Sequence, residues 1–104
     1  MFLVVFRNRK RADIDQAAYD AEAERMESLA RQQPGFLSFK GYTAGDGEVV
    51  ALSEWIDEMS ARAWGQLAEH RVAQARGRER YYAEYTLFAC DDPRIHRFEI
   101  RDKV

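Results

Sequence analysis

The sequence has few histidine and cysteine residues, and they form no familiar catalytic motif. The sequence contains two histidines, His70 and His96, and a single cysteine, Cys90. A lone cysteine excludes internal disulfides and any CxxC metal or redox site. No carboxylate stands at ligand spacing from either histidine, and no Ser-His-Asp arrangement, phosphate loop or GxGxxG run is present. We therefore expect no metal site.

Two polar residues, Asn8 and His70, occupy positions that suit either a functional or a structural role. Asn8 is the one neutral polar residue in the apolar register of the first predicted strand, on the face with Phe2, Val4 and Phe6. A buried amide requires partners, so Asn8 either donates to a ligand oxygen or completes the strand end. His70 stands at the predicted end of the second helix, where a histidine either acts as a base near neutral pH or caps the helix.

The aromatic side chains indicate either a core or an apolar binding cavity. Trp55 and Trp64, together with Tyr81, Tyr85 and Met59, have the character needed to line a cavity for a flat aromatic ligand. The alternative is that both tryptophans are core residues, which is the commoner role of this side chain.

Composition excludes several classes of protein. The chain has 104 residues, of which 46% are hydrophobic and 33% charged, so it is expected to form one soluble globular domain and not a disordered chain. Its net charge of −2 gives no general attraction to nucleic acid, and residues 48–55 lack the basic-aromatic run of an RNA-recognition module. The apolar opening at residues 2–6 is far shorter than the roughly 20 residues of a membrane helix. We expect a cytoplasmic protein with no nucleic-acid or membrane partner.

Apolar periodicity and turn residues predict six main elements in the order β-α-β-β-α-β. Asp13, with Gln16 three residues later, predicts the N-cap of the first helix, and Asp57 predicts that of the second. The predicted elements are strands at 2–8, 36–43, 48–55 and 80–90, helices at about 14–33 and 58–69, a helical turn at 72–75 and a small extra strand at 97–100.

This order is the split-βαβ or ferredoxin-like pattern of the α+β class, in which both helices cover the same face of an antiparallel sheet. The other face should be bare, yet strands one, three and four have apolar residues on both faces, and simple alternation places Val50 with Leu52 and Tyr82 with Phe88. A second copy is the simplest cover, giving a homodimer through the open sheet face and a dimeric α/β barrel. An interface of about 1,600 Å², of which about 60% is apolar, returns on the order of 24 kcal/mol gross at about 25 cal/mol/Å². Association costs about 4–15 kcal/mol.

Basic residues from two distant segments are expected to meet at one edge of this fold. The first strand lies beside the last in this topology, so Arg7 and Arg9 should approach Arg78 and Arg80. The result is either a positive rim that binds an anion, or two solvated strand ends with acidic neighbours such as Glu84.

Several short motifs follow one another in a fixed order over residues 1–90, and together they resemble the antibiotic biosynthesis monooxygenase (ABM) domain, a dimeric α+β-barrel superfamily. The matching motifs are Asn8-Arg9 at the end of the first strand, Pro34-Gly35-Phe36, Glu54-Trp55 before a helix that carries Trp64, and the run of His70, Ala73-Gln74, Gly77-Arg78 and Tyr82. The resemblance implies a single domain over 1–104, with a core at 1–90 and a C-terminal extension at 91–104.

The resemblance also implies a function. Some ABM-domain proteins are cofactor-independent monooxygenases that use dioxygen to oxidise polycyclic phenols or anthrones to quinones. Carried over to this sequence, Asn8 and Trp64 would hold the substrate at the carbon that is oxygenated, and His70 or Arg80 would favour its anion. The substrate-binding residues would be Phe6, Trp55, Met59, Arg80 and Tyr82, with a small aromatic or quinol-like substrate and no cofactor.

Two other functions are compatible with the resemblance. One is a non-catalytic, small-molecule-binding or stress-associated dimer that kept the fold without the chemistry. The other is haem degradation, which in this family uses an asparagine, a tryptophan and a haem-ligating histidine about ten residues after that tryptophan. Asn8 and Trp64 are present here, but Gln74 stands at the ligand position and His70 comes too early.

Overall fold

The computed structural model describes the backbone of residues 1–101 and their side chains except those of residues 68 and 69. Four antiparallel strands form one sheet in the spatial order Phe36–Thr43, Val49–Trp55, Phe2–Lys10 and Tyr82–Asp91, which confirms the predicted α+β, ferredoxin-like fold. None of the described helices is long and apolar enough to span a membrane. The elements, in chain order, are β1 (Phe2–Lys10), α1 (Gln16–Arg31), β2 (Phe36–Thr43), β3 (Val49–Trp55), α2 (Glu58–Gln66), α3 (Ala68–Arg76), a π-helical turn (Gly77–Tyr81) and β4 (Tyr82–Asp91).

The start of α1 differs from the prediction. Its N-cap is Asp15 and not Asp13, because the Asp15 carboxylate accepts a hydrogen bond from Ala18 N at 3.0 Å. The expected capping box is absent, since the Gln16 amide donates to Asp20 within the helix. The Asp57 cap of α2 is confirmed by its hydrogen bond from Ser60 N at 2.8 Å.

The second helical region also differs from the prediction. Leu67 adopts an extended conformation, with ψ of 133°, and this ends α2 at Gln66. A separate helix, α3, then replaces the predicted turn at 72–75, and the π-helical turn after it delays β4 to residue 82. Residues 97–100 form no strand. Residues 102–104 of the predicted C-terminal extension lie outside the described residues.

A bulge in β4 changes which side chains share a face of the sheet. Arg9 pairs with Glu84, but the next residue, Lys10, pairs with Tyr82, so Ala83 is an extra residue in β4. The bulge moves Tyr82 to the helix-covered face, where its ring lies 5.4 Å from that of Phe6. The prediction that Tyr82 shares a face with Phe88 is therefore wrong, because alternation holds only in a strand without a bulge.

The hydrophobic core lies at one end of the helix-covered face. Trp55 is 1% exposed and packs edge-to-face on Phe36, with ring centroids 5.5 Å apart. The buried core residues are Phe2, Ala30 and Trp55, with Val4, Phe36, Ala61 and Trp64 packed against them.

The opposite face of the sheet is apolar at its centre. Val5 of β1 pairs with Leu52 on one side and with Phe88 on the other, and these side chains point away from the helices. Phe88 is 49% exposed. No described element covers this face.

Gly35 allows close contact between the α1–β2 turn and α2. Its φ is +82°, and a Cβ at this position would lie 2.2 Å from Ser60 Oγ. Its carbonyl also accepts a hydrogen bond from Ile56 N at 2.7 Å. We expect Gly35→Ala to lower the free energy of unfolding by about 2–4 kcal/mol, since it combines backbone strain with overpacking. Urea denaturation measures this loss.

Gly47→Ala is the matched control. Gly47 has a similar φ of +91°, but nothing lies within 4 Å of a Cβ built there. Only the backbone strain remains, and we expect a loss of about 1 kcal/mol. Equal losses in the two variants would show that the contact with α2 contributes nothing.

Candidate functional site

A group of aromatic side chains lies on the helix-covered face, at the opposite end of β1 from the core. Phe6 of β1 contacts Tyr82 and Tyr85 of β4, with ring centroids 5.4 and 5.3 Å apart, respectively. Tyr19 of α1 closes over Tyr82 at 6.1 Å. We call Phe6, Tyr19, Tyr82 and Tyr85 the tyrosine cluster. The bulge in β4 makes the cluster possible because it brings Tyr82 and Tyr85 to the same face.

Two polar side chains lie beside the tyrosine cluster. Asn8 is 3% exposed, and its Oδ1 accepts a hydrogen bond from Lys10 Nζ. The same ammonium lies over the rings of Tyr19 and Tyr82, at 4.6 and 5.4 Å from their centroids. An amide and an ammonium therefore meet at the edge of an aromatic surface.

The hydroxyl of Tyr82 stays protonated at neutral pH. Burial raises its pKa, and the hydrogen bond with the Tyr19 hydroxyl, 3.3 Å away, raises it further. A neutral phenol can donate a hydrogen bond to a ligand oxygen but cannot serve as a base.

A second aromatic group surrounds Trp64. Its indole stacks on Trp55 at 6.4 Å and on the His70 imidazole at 4.3 Å. His70 Nδ1–H donates to the Trp64 carbonyl at 3.1 Å, which connects α3 to the last turn of α2 across the break at Leu67. This is the contact expected of a capping histidine, although His70 belongs to α3.

The structure separates the predicted catalytic residues into two places. Trp55 pairs with Phe2, six residues from Asn8, so about 20 Å of strand separates them at a rise of about 3.3 Å per residue. Among the described residues, no hydrogen bond or ring contact joins Asn8 to Trp64 or His70. Asn8, Phe6 and Tyr82 lie together at one end of the sheet, and Trp55, Trp64 and His70 form the second group.

The other two predicted residues lie elsewhere. Met59 is 79% exposed and lines a shallow hollow of about 210 Å³ with Trp64. Arg80 lines a groove of about 560 Å³ between α1 and α3, beside Tyr81 and the ion pair between Glu22 and Arg76.

The two arginines near the end of β1 have acidic partners. Arg7 pairs with Glu48 at 3.0 Å, and Arg9 pairs with Asp46 at 2.8 Å. The Asp46 carboxylate raises the pKa of Arg9, and the Arg9 guanidinium lowers the pKa of that carboxyl. The end of β1 does lie beside the start of β4, as predicted, but these guanidinium groups are held by carboxylates.

Lys10 and Tyr19 are the site residues that the sequence did not reveal. Simple alternation places Lys10 on the face of Phe6 and Asn8, but it gives no reason to bring Tyr82 to the same place. Within residues 1–101 and their described side chains, no group of three or more metal-ligating side chains occurs.

Comparison with known proteins identifies the family. The model of the family described as antibiotic biosynthesis monooxygenase (ABM) matches residues 1–76. The chain is 33% identical over 81 residues to the uncharacterized protein YqjZ of Bacillus subtilis, covering 78% of this chain and 71% of that protein. The chain belongs to the ABM family.

Solved structures with the same fold have low sequence identity. A conserved protein from Methanosarcina mazei superposes with a TM-score of 0.77 at 14% identity, covering 88% of this chain and 92% of the other. SnoaB, a cofactor-independent oxygenase from Streptomyces nogalater, superposes with a TM-score of 0.70 at 17% identity, covering 97% of each chain. These likenesses show the fold alone, because one fold hosts many different functions.

The contact of His70 with Trp64 predicts a dependence of stability on pH. Burial lowers the pKa of His70 below its ordinary value of 6.5, so the unfolded chain takes up a proton before the folded chain does. The free energy of unfolding should therefore fall as the pH drops below about 6.5, and the loss is complete below the folded pKa. Urea denaturation across this range measures the slope.

Two variants separate His70 from other titrating groups. His70→Asn keeps a donor near Nδ1 and removes the titration, so it should flatten the slope below the ordinary histidine pKa. His96→Asn changes a histidine in the exposed C-terminal segment and should leave the slope as in the wild type. An unchanged slope in His70→Asn would contradict the assignment.

Proposed function

We propose that this protein is a cofactor-independent monooxygenase that acts on a small aromatic, quinol-like molecule. The observation that carries the proposal is the tyrosine cluster with the buried Asn8 amide at its edge. An aromatic surface with few polar groups suits a flat ring that bears oxygen substituents. Membership of the ABM family and the fold shared with SnoaB support the proposal.

In such a reaction the substrate itself reduces dioxygen. An anthrone loses a proton to give a carbanion, which transfers an electron to dioxygen, and the two radicals then form a carbon–oxygen bond. The resulting peroxide anion takes back the proton that the anthrone lost, and the hydroperoxide then loses water to give the quinone. One oxygen atom ends in the quinone and the other in water, and the two hydrogens of that water come from the substrate methylene. No electrons are needed from elsewhere.

The protein would contribute binding and stabilisation of the anion. Asn8 and the neutral Tyr82 hydroxyl are hydrogen-bond donors suited to a substrate oxygen beside Phe6. Trp64 and His70 keep their proposed roles only if the substrate, or a change in the helices, connects the two aromatic groups. Because His70 donates Nδ1–H to Trp64, its Nε2 is the atom left to accept a proton.

We also propose that the protein is a cytoplasmic homodimer formed through the open sheet face. Val5, Leu52 and Phe88 lie at the centre of this face, and exposed apolar clusters of this kind are typical of interfaces. A sheet-to-sheet dimer would also bury the open face, which lies on the other side of β1 from Asn8, and would hold β1 rigidly.

Oxygen uptake with 1,8-dihydroxyanthrone, whose methylene is the carbon to be oxygenated, tests the enzymatic function. We expect uptake by the wild type above that of a heat-killed control. Asn8→Ala should lower kcat/KM by about tenfold or more, because the donor to the substrate oxygen is lost. Trp64→Phe tests the second aromatic group in the same assay.

Gln74→Ala is the control for the oxygen assay, since Gln74 is an exposed residue of α3. This variant should retain the wild-type rate of oxygen uptake.

Addition of haemin to the wild type tests the haem-degrading alternative, and we expect no shift of the Soret band. If the anthrone gives no uptake above the heat-killed control, the monooxygenase proposal fails in favour of a non-catalytic binding protein. A Soret shift would favour haem degradation.

Light scattering at micromolar concentration tests the dimer. We expect twice the chain mass of 12.1 kDa for the wild type and the single-chain mass for Val5→Arg, which places a charge at the centre of the open face. Val72→Arg changes an apolar residue that is 54% exposed on α3 and should leave the dimer intact. A wild-type particle of 12.1 kDa would refute the sheet-to-sheet dimer.

A further inference from the structure

We propose that Lys10 and Asn8 form an anion subsite, so that the ligand of the tyrosine cluster is an aromatic molecule with an ionised oxygen, either a phenolate or a carboxylate. The inference rests on the ligand site of the proposed function, and it assigns the substrate anion to Lys10, a residue that the sequence did not indicate, in place of His70 or Arg80. It does not require that the ligand be oxidised.

The surroundings of Lys10 differ from those of the arginines that form ion pairs with carboxylates. Its ammonium lies 4.6 Å from the Tyr19 ring centroid and 5.4 Å from that of Tyr82, and it donates to Asn8 Oδ1. Within the part of the chain that the structure describes, no Asp or Glu oxygen lies within the 4.0 Å of an ion pair with Lys10. By contrast, a carboxylate pairs with each of Arg7, Arg9, Arg31, Arg62 and Arg76.

This arrangement favours a bound anion. Lys10 is half-buried, so water only partly solvates its charge. Ring faces and an amide oxygen stabilise an ammonium, but they leave its positive charge uncompensated. An ammonium has three N–H donors, and one of them is taken by Asn8. The remaining donors are available to a ligand oxygen.

The amide of Asn8 is suited to the same oxygen. Its Oδ1 faces Lys10, and among the described residues its Nδ2 donates to no protein atom. No side-chain nitrogen or oxygen of the described residues is both fully buried and without a partner. The Nδ2 group is therefore not completely buried, although Asn8 as a whole is only 3% exposed, and it has a hydrogen left to donate to a ligand oxygen held by Lys10.

The aromatic half of the ligand has a surface beside this pair. Phe6 contacts Tyr82 and Tyr85, and Leu87 pairs with Phe6 on the same face. Tyr85 is 43% exposed and Leu87 is 54% exposed, so the helices leave this side of the cluster open. A flat ring can enter along Tyr85 and Leu87 and place its ionised oxygen at Lys10 and Asn8.

The competing role for Lys10 is purely structural. Its aliphatic chain and its bond to Asn8 would then support the bulge, and its charge would not affect which ligand binds. The two roles predict different responses to ligand charge.

Binding of 2-naphthoate and of 2-naphthamide, which differ in charge but hardly in shape, separates these roles. Calorimetry should give the wild type about tenfold tighter binding of the naphthoate. Lys10→Met should abolish this preference, and Lys10→Arg should retain it. Lys40→Met is the matched control, because Lys40 also lies over a tyrosine, 5.7 Å from the Tyr42 ring, but on exposed β2. It should bind as the wild type does.

A second pair of probes extends the test to phenolates. At a pH where 4-nitrophenol is ionised, the wild type should bind 4-nitrophenolate with a shift in its absorption band and should bind 4-nitroanisole more weakly. Preference for only one of the two anions identifies which oxygen the subsite takes.

Three results would overturn the proposal: equal binding of charged and neutral probes by the wild type, an unchanged preference in Lys10→Met, or loss of preference in Lys40→Met. If Lys10→Met does not fold, as judged by circular dichroism, the Lys10→Gln variant replaces it. Equal binding of the charged and neutral probes by the wild type would refute the proposal without either variant. Anion preference without oxygen uptake would refute the monooxygenase and leave the subsite standing. Oxygen uptake without anion preference would refute the anion subsite and leave the monooxygenase proposal standing.

Discussion

The extra residue in β4 is the constraint on which the candidate site depends. In a regular strand Tyr82 would point to the open face with Glu84 and Phe88, but Ala83 takes up one position and turns Tyr82 towards the helices. Tyr82 and Tyr85 then contact Phe6 from the same side, and the Lys10 ammonium lies over the Tyr82 ring. Bulges are common where a side chain must be redirected to a functional site. Without this one, Asn8 would still lie beside Tyr85 and Phe6, but Tyr82 would point to the open face and would be lost from the cluster.

The helix-covered face is divided between stability and binding. At the Phe2 end, Trp55 is almost fully buried, and Phe36 and Trp64 pack against it. At the Asn8 end, the helices leave Tyr85 and Leu87 partly exposed. The first end supplies the close packing that stabilises a small domain, and the second has the open apolar surface and polar groups that a ligand needs. The same strand, β1, holds both ends in register.

The sequence predicted the architecture because that depends on strong, regular signals. The limits of β2 at 36–43 and the Asp57 cap follow directly from turn residues and alternation, and both are confirmed. The sequence predicts the cap of α1 at Asp13, because Gln16 three residues later completes the capping-box pattern, whereas the structure caps the helix with Asp15, whose carboxylate accepts a hydrogen bond from Ala18 N. The break at Leu67 is not predicted, because Gly65 two residues before it lies within the predicted helix and no proline lies nearby.

The candidate site was predicted only in part, for a related reason. Asn8 and Phe6 were recognisable from alternation within β1, and Tyr82 was indicated by the family resemblance. Lys10 and Tyr19 were not recognised, because their importance depends on a bulge and on the packing of α1, which a single sequence does not encode visibly. Trp64 and His70 were expected next to Asn8, but they form a separate group with Trp55.

The most direct test of the central claim is to locate a bound ligand on the protein by nuclear magnetic resonance. Backbone and aromatic resonances are recorded while 1,4-dihydroxynaphthalene is added under argon, so that no oxidation takes place. We expect the largest shifts at Asn8, Lys10, Tyr82 and Tyr85, with small changes at Trp55 and His70. Shifts centred on Trp64 and His70, or none at the tyrosine cluster, would contradict the assignment of the site.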